Sequence, residues 1–278
     1  MEHRTDHYIP EPHAAFLKNA IDRLKQDERL VGIAVGGSYA SGAMDEFSDL
    51  DILIAVEPAA YESVLGERQA IARTLGPLLG AFTGEHINEP RLLICLYESP
   101  LLHVDLKFIR LSDAAQRVED PVVVWERGGR LSAAFGIGAA VFPEPDLQWI
   151  EDRFWIWVHY VVAKIGRGEI FEAIDGLSYL RMHVLGPLVL MRHGGRPSGV
   201  RKIEFVAPAY AKEMEATVAA YNARSCAAAL RATVDIYRSL REQAEDGTVS
   251  RRREMEDAAE EYLREVVFRH GLSSCSGS

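Results

Sequence analysis

The chain has 278 residues, which is enough for about two domains of ordinary size. It carries 41 Asp and Glu against 31 Lys and Arg, and the net charge of −10 argues against a protein that tracks nucleic-acid phosphates. The three cysteines form neither a disulfide framework nor a CxxC metal pair, and no uncharged apolar run reaches the roughly 18–20 residues of a membrane span. We therefore expect a reduced, cytoplasmic protein without a membrane partner.

The first half of the chain alternates short apolar runs with turns and helical stretches. Runs rich in Ile, Leu and Val predict strands over residues 30–35, 50–56, 92–97 and 102–109. The short link between the last two runs predicts an antiparallel hairpin. Apolar residues at helical spacing predict helices over 13–26 and 61–79. This mixture predicts an α+β fold with a mixed sheet.

The second half reads as helical, because strand signals fade after Asp146. Helices are predicted over residues 149–166, 169–192, 210–223, 226–244 and 251–270. Pro187 should kink or divide the second of these. We expect a bundle of about four to five helices. The Phe-Pro-Glu-Pro segment at 142–145 predicts the domain boundary, giving domains 1–145 and 146–272 and a disordered tail 273–278.

A glycine turn follows the first predicted strand. Gly36 and Gly37 allow backbone N–H groups to approach a phosphate closely, and Ser38 adds a hydroxyl donor. The residues after Ser38 are expected to open a helix whose N-terminus faces the anion. A tight turn without a ligand is the alternative.

Two aspartates follow at the start of the second predicted strand. Asp49 and Asp51 are two residues apart, and the period of a strand places both carboxylates on one face. Such hard oxygen ligands suit Mg²⁺, which is held by a few carboxylates and by substrate phosphates. A solvated edge strand is the alternative interpretation.

The Gly-Ser turn followed by Asp-x-Asp resembles the signature of the nucleotidyltransferases related to polymerase β. In that superfamily a third carboxylate on a neighbouring strand completes the metal site, and the resemblance assigns this role to Asp105. Alternation along 103–109 places Asp105 on the face opposite the apolar side chains. A salt bridge with Lys107 is the alternative role for this aspartate.

The resemblance implies both a reaction and its cofactors. Asp49, Asp51 and Asp105 would be the catalytic and metal-binding residues, and the turn formed by Gly36, Gly37 and Ser38 would bind the nucleotide. With Mg²⁺ bound, a hydroxyl would attack the α-phosphorus of ATP or another nucleoside triphosphate, and pyrophosphate would leave. Residues 1–145 would then be the catalytic domain.

The second half resembles the aminoglycoside 6-adenylyltransferase and lincosamide transferase group of antibiotic-resistance enzymes. The similarity lies in segments 153–158, 163–169, 175–181 and 191–193. It implies a helical domain that binds a small hydroxyl-bearing acceptor. It also implies a lysine that reaches the triphosphate, for which Lys202 is the candidate, although Arg201 stands where the group has glycine. A solvated loop lysine is the alternative.

Acidic and aromatic residues of the second half suggest where an acceptor binds. Glu169, Glu172 and Asp175 recur at helical spacing and suit a polycationic aminoglycoside, or they form a solvated face. Trp155 and Trp157 stack on a ligand or belong to the core. Two other functions stay open, namely nucleotidyl transfer to a protein or tRNA, and a non-catalytic nucleotide-binding or antitoxin-like module.

Overall fold

The computed structural model describes residues 8–244 and 249–272. The chain divides between Phe142 and Pro143 into two compact units. The expected disordered tail with Cys275 lies outside the described residues. Cys95 and Cys226 are free and buried, as expected for small core residues.

From residue 8 onward, the first unit contains a six-stranded mixed sheet with four α-helices. The strands are β1 (Leu30–Val35), β2 (Leu50–Val56), β3 (Leu78–Gly84), β4 (Glu89–Tyr97), β5 (Leu102–Arg110) and β6 (Val122–Glu126). The helices are α1 (Glu11–Leu24), α2 (Gly37–Ala40), α3 (Tyr61–Thr74) and α4 (Arg130–Phe135). The strand order is β3-β4-β5-β2-β1-β6. Strands β2 and β5 are parallel, whereas the other neighbouring pairs are antiparallel.

The two faces of this sheet differ in character. Every residue of β1 is buried, as expected for a continuous apolar run in an interior strand. Strand β5 instead alternates, and Val104, Leu106 and Phe108 join the large core that α1 and α3 cover. The polar residues between them face the other side of the sheet, as the sequence predicted. Asp51 and Asp105 share that side, which leaves both carboxylates outside the main core.

Two sequence predictions fail at the edges of this sheet. The helix predicted to reach residue 79 ends at Thr74, because Pro77 lacks an N–H donor and disfavours helical backbone at Gly76. Strands β3 and β6, which form the two edges, were not predicted. Gly80 interrupts the apolar pattern of β3, and every residue of β6 is only half-buried. The expected hairpin between β4 and β5 is present.

All regular secondary structure in the described residues of the second unit is helical, and the predicted α+β class is confirmed. Its helices are α5 (Leu147–Arg167), α6 (Ile170–Leu180), α7 (Gly186–Arg192), α8 (Ile203–Val206), α9 (Pro208–Met214), α10 (Ala223–Ala244) and α11 (Arg253–Arg269). A π-helical turn, Arg181–Leu185, joins α6 to α7, and Pro187 lies in the first turn of α7. None of the described helices is long and apolar enough to cross a membrane.

One predicted helix of this unit is wrong in extent. The prediction over 210–223 combined α9 with the segment before α10, but α9 ends at Met214 and a short 3-10 turn follows. Helix α10 begins at Ala223 because Asn222 Oδ1 accepts a hydrogen bond from the Ser225 N–H at 2.8 Å, which is an N-terminal cap. The described residues of this unit therefore form seven α-helices, more than the four to five that were expected.

A buried ionic network crosses the helical core. Glu151 accepts hydrogen bonds from Tyr237 Oη at 2.6 Å and from the Arg252 N–H at 2.9 Å, and Arg241 Nη1 bridges it to Glu256. Burial alone would raise the pKa of Glu151, but these hydrogen bonds and the Arg241 charge hold the pKa below its usual value. Removing Arg241 would leave the Glu151 and Glu256 carboxylates in the core without the cation that they share.

Trp155 belongs to this core, since it is 1% exposed. Its indole Nε1 donates to Glu151 Oε1 at 3.3 Å. The core interpretation of this residue is therefore correct.

Candidate active site

The glycine turn that follows β1 is hydrogen-bonded to the start of β2. The Gly36 N–H donates a hydrogen bond to the Asp51 carbonyl oxygen at 2.9 Å. Gly37 has a φ of +56°, and a Cβ placed there would lie 2.0 Å from Asp51 Oδ2. Both the backbone angle and this close approach require glycine. The turn is therefore fitted against the Asp51 carboxylate.

Ser38 presents a hydroxyl that the surrounding protein does not satisfy. Its Oγ is buried and has no hydrogen-bond partner within the described residues. Buried polar groups without a partner are rare in folded proteins and call for an explanation. A ligand oxygen at this turn would supply the missing partner. A helix was expected to open after Ser38, but α2 already begins at Gly37 and is a single turn.

Asp51 and Asp105 lie side by side on the two parallel strands. The register of β2 and β5 pairs Asp51 directly with Asp105. Neighbouring strands are about 4.8 Å apart, so the two carboxyl groups share one small area of the sheet. Asp49, which was expected on the same strand as Asp51, instead precedes β2, whose pairing with β5 begins at Leu50.

The environment of Asp105 differs from that of an ordinary surface carboxylate. Burial raises the pKa of Asp105, the neighbouring His103 opposes this, and the charge of Asp49 adds to the rise. Asp49 is thus within electrostatic reach of Asp105. His103 Nε2 donates a hydrogen bond to Asp105 Oδ1 at 3.0 Å. Asp49 and Asp105 therefore interact electrostatically, although Asp49 lies outside the strand.

The alternative salt bridge between Asp105 and Lys107 does not form. Lys107 Nζ instead lies 2.8 Å from Glu89 Oε2, and Arg91 Nε donates to Glu89 Oε1 at 2.7 Å. The Arg91 hydrogen bond and Lys107 outweigh the effect of burial and lower the pKa of Glu89 to about 2. Asp105 is left with His103 as its basic partner.

His13 was missed as part of this site. The predicted helix over 13–26 begins at this residue, but the sequence assigned it no role; it is 3% exposed in α1, and its Nε2 donates to the Ser48 carbonyl oxygen at 2.7 Å. Ser48 closes a turn with Asp45 and immediately precedes Asp49. The available signal was the spacing of His13 relative to Leu17, which lies one helical turn later on the buried face.

A fourth carboxylate also approaches the turn. Glu119 Oε1 lies 2.6 Å from the position that a Cβ on Gly36 would take. Sequence reasoning had no signal for this contact, because Glu119 lies in an irregular segment far from the motif along the chain.

The donor set around the turn fits a magnesium ion that substrate phosphates help to hold. Within residues 8–244 and 249–272, no three His, Cys, Asp or Glu side chains converge as a self-sufficient metal site. Mg²⁺ does not require such a cage, because it is usually bound by one or two carboxylates together with phosphate oxygens. The paired Asp51 and Asp105 and the unsatisfied Ser38 hydroxyl match that requirement.

Lys202 lies in the second unit. It is exposed at the start of α8, and its φ of 58° is in the left-handed region. Its expected contact with the triphosphate stays a prediction.

Residues 17–110 match the family model described as the nucleotidyltransferase domain. The matched range contains the glycine turn, Ser38 and all three aspartates. The chain contains a nucleotidyltransferase domain. The resemblance to nucleotidyltransferases that the sequence pattern indicates is confirmed for this part of the chain.

Solved structures with similar chains are more distant. An aminoglycoside 6-adenyltransferase from Bacillus subtilis is 16% identical, with 90% of this chain and 97% of that chain covered and a TM-score of 0.40. A nucleotidyltransferase-like protein from Exiguobacterium sibiricum is 12% identical, with 95% of each chain covered and a TM-score of 0.32. No curated protein matches the chain. The assignment rests on the domain match.

Proposed function

We propose that this nucleotidyltransferase transfers AMP from ATP to a hydroxyl group of a small molecule, with Mg²⁺ as cofactor and pyrophosphate as the second product. The observation that carries the proposal is the direct pairing of Asp51 with Asp105 beside the Gly37–Ser38 turn. Aminoglycoside and lincosamide antibiotics are the acceptors that the sequence resemblance suggests. The net charge of −10 disfavours tRNA as the acceptor.

The carboxylates have distinct tasks in this reaction. Asp51 and Asp105, with Asp49 beside them, would hold Mg²⁺, which when bound offsets the phosphate charge and stabilises the leaving pyrophosphate. Asp105 accepts the proton of the attacking hydroxyl. Its raised pKa suits that role, because a more basic carboxylate takes up a proton more readily. His103 orients the group by holding Oδ1.

The glycine turn positions the nucleotide. Ser38 Oγ and the backbone N–H groups of the turn donate hydrogen bonds to triphosphate oxygens. The acceptor oxygen then bonds to the α-phosphorus, while the bond from that phosphorus to the pyrophosphate oxygen breaks. We assign Lys202 to the triphosphate as well, on the sequence resemblance alone.

The test is pyrophosphate release by the full chain with ATP, Mg²⁺ and a panel of aminoglycosides and lincosamides. An acceptor that gains one AMP by mass spectrometry would support the proposal. Asp105→Asn should lower kcat by about 10²- to 10⁴-fold. Asp22→Asn is the matched control, because Asp22 is an exposed carboxylate of α1 that pairs with Lys25.

Three outcomes would contradict the proposal. Pyrophosphate release that survives both Asp49→Asn and Asp105→Asn would remove these carboxylates from the mechanism. AMP found on lysate protein or tRNA, with no small-molecule product, would change the acceptor class. Magnesium-dependent ATP binding without turnover under any condition would indicate a non-catalytic nucleotide-binding module.

A further inference from the structure

A cleft between α5 and α6 combines aromatic rings with carboxylates. Its volume is about 330 Å³, which falls within the usual range for small-molecule sites. Trp157, Tyr160 and Tyr179 line it together with Glu172 and Asp175. We propose that this cleft binds a small organic molecule through a protonated amine. The proposal rests on the proposed function in that it assigns these residues to a ligand of the second unit, but amine binding is measured without the transfer reaction, so either can fail without the other.

Residues on one face of α5 and one face of α6 form the two sides of the cleft. On α5, Trp157 and Tyr160 are three residues apart, and on α6, Glu172 and Asp175 have the same spacing, so each pair shares one helix face. Gly176 allows the two helices to approach, because a Cβ there would lie 2.6 Å from Val161 Cγ2. The cleft therefore has an apolar floor where the helices touch.

The aromatic walls are suited to a cation. The rings of Trp157 and Tyr179 are 5.2 Å apart and inclined at 70°. Aromatic faces carry partial negative charge and attract ammonium groups that lie within about 6 Å of the ring centre. The protein already uses this interaction here, since Lys164 Nζ lies 5.0 Å from the centre of the Tyr160 ring.

The ionic contacts leave one carboxylate unpaired. Lys164 Nζ lies 2.6 Å from Glu169 and 3.4 Å from Glu172, and Tyr160 Oη donates to Glu172 at 2.6 Å. In contrast, no hydrogen bond or ion pair reaches Asp175 from any part of the chain that the structure describes. An anion beside aromatic rings is the pairing that recognises organic ammonium ions.

The unpaired carboxylate also selects the kind of amine. A carboxylate accepts hydrogen bonds, so Asp175 favours an ammonium that carries N–H groups over a quaternary ammonium. The rings and the apolar floor favour a ligand with an apolar body next to the charge. A small primary amine on a hydrocarbon ring meets both requirements.

The test is calorimetric titration of the full chain, without nucleotide or Mg²⁺, with cyclohexylmethylamine and its uncharged isostere cyclohexylmethanol. We expect saturable binding of the amine and at least tenfold weaker binding of the alcohol. Asp175→Asn should weaken amine binding at least tenfold. Tyr179→Leu should weaken it similarly, whereas Tyr179→Phe, which keeps the ring, should preserve it. Thermal unfolding followed by circular dichroism identifies any variant that fails to fold.

Asp235→Asn is the matched control, because Asp235 is an exposed carboxylate of α10 that has no partner within the described residues. It should leave amine binding unchanged. Equal weakening by Asp175→Asn and Asp235→Asn would show general attraction to an acidic protein and overturn the proposal. Equal affinity for the alcohol, unchanged binding in Asp175→Asn, or no saturable binding of the amine would overturn it as well.

Discussion

Replacement of Gly37 by alanine tests whether the glycine turn sets the position of the Asp51 carboxylate. The new Cβ would lie 2.0 Å from Asp51 Oδ2, whereas ordinary contact begins near 3.4 Å. The carboxylate must therefore retreat by about 3.4 − 2.0 = 1.4 Å, or the turn must open by the same amount. The φ of +56° adds strain of about 1–2 kcal/mol for a residue with a side chain.

The two effects predict different losses. Backbone strain should lower the free energy of unfolding by about 1–2 kcal/mol. Displacement of a catalytic group by about 1 Å should lower kcat by about 100-fold. Urea unfolding measures the first loss, and pyrophosphate release measures the second. Calorimetry of Mg²⁺-dependent ATP binding gives a third measurement that needs no acceptor, and we expect binding at least tenfold weaker.

Gly128→Ala separates strain from displacement. Gly128 has a φ of +62°, and nothing lies within 4 Å of a Cβ placed there. This variant should lose similar stability but keep its activity and its ATP binding. If Gly37→Ala loses stability but retains activity within about threefold of the parent, the reasoning is refuted, because a 1 Å displacement of a catalytic group is expected to cost far more.

Three further variants test other contacts. His13→Leu removes the bond to the Ser48 carbonyl, so the free energy of unfolding should fall by about 1–3 kcal/mol in urea and ATP binding should weaken. Glu151→Gln leaves Arg241 without one of its buried counter-charges and should cost about 3–5 kcal/mol in the same assay. The pKa of Glu89 is lowered to about 2, so its stabilising effect is complete above pH 4.5 and is lost as the pH falls toward 2. Glu89→Gln should therefore flatten the stability curve in that window.

Each of these three predictions has a control and an outcome that would contradict it. Asn19→Leu is the control for His13→Leu, because it removes another hydrogen bond from α1 to a backbone carbonyl, that of Leu75. It should leave ATP binding intact. If both variants weaken ATP binding equally, His13 has no specific role at the site. Glu261→Gln breaks an exposed pair and should cost less than about 1 kcal/mol, so a similar cost for Glu151→Gln would contradict the buried network. If the free energy of unfolding falls equally for Glu89→Gln and the parent between pH 4.5 and 2, the lowered pKa of Glu89 is contradicted.

The sequence predicted best those elements whose signal is local. Strands β1 and β2 have the predicted bounds, because both are rich in Ile, Leu and Val and are followed by Gly36 and Glu57 respectively. The long helices α5, α10 and α11 were found within a few residues, since their apolar spacing is regular. The edge strands β3 and β6 were missed because half-exposed strands need no strict alternation.

Site residues that act through long-range contacts were harder to predict. The aspartates and the glycine turn form a motif that is visible in the chain, and the resemblance supplied Asp105. His13 and Glu119 belong to no motif, and their contacts arise only once α1 and an irregular segment pack against the turn. A single sequence carries the helical spacing of His13 but not the identity of the carbonyl that it binds.

Strand β2 explains why these groups meet at one place. It is antiparallel to β1, so the end of β1 and its glycine turn lie beside the start of β2, where the Gly36 N–H bonds to the Asp51 carbonyl. It is parallel to β5, so Asp51 near its start is paired with Asp105 rather than with the far end of that strand near Arg110. An antiparallel β5 would separate the two carboxylates by most of a strand length. The one parallel pair in this otherwise antiparallel sheet is therefore what makes a shared carboxylate site possible.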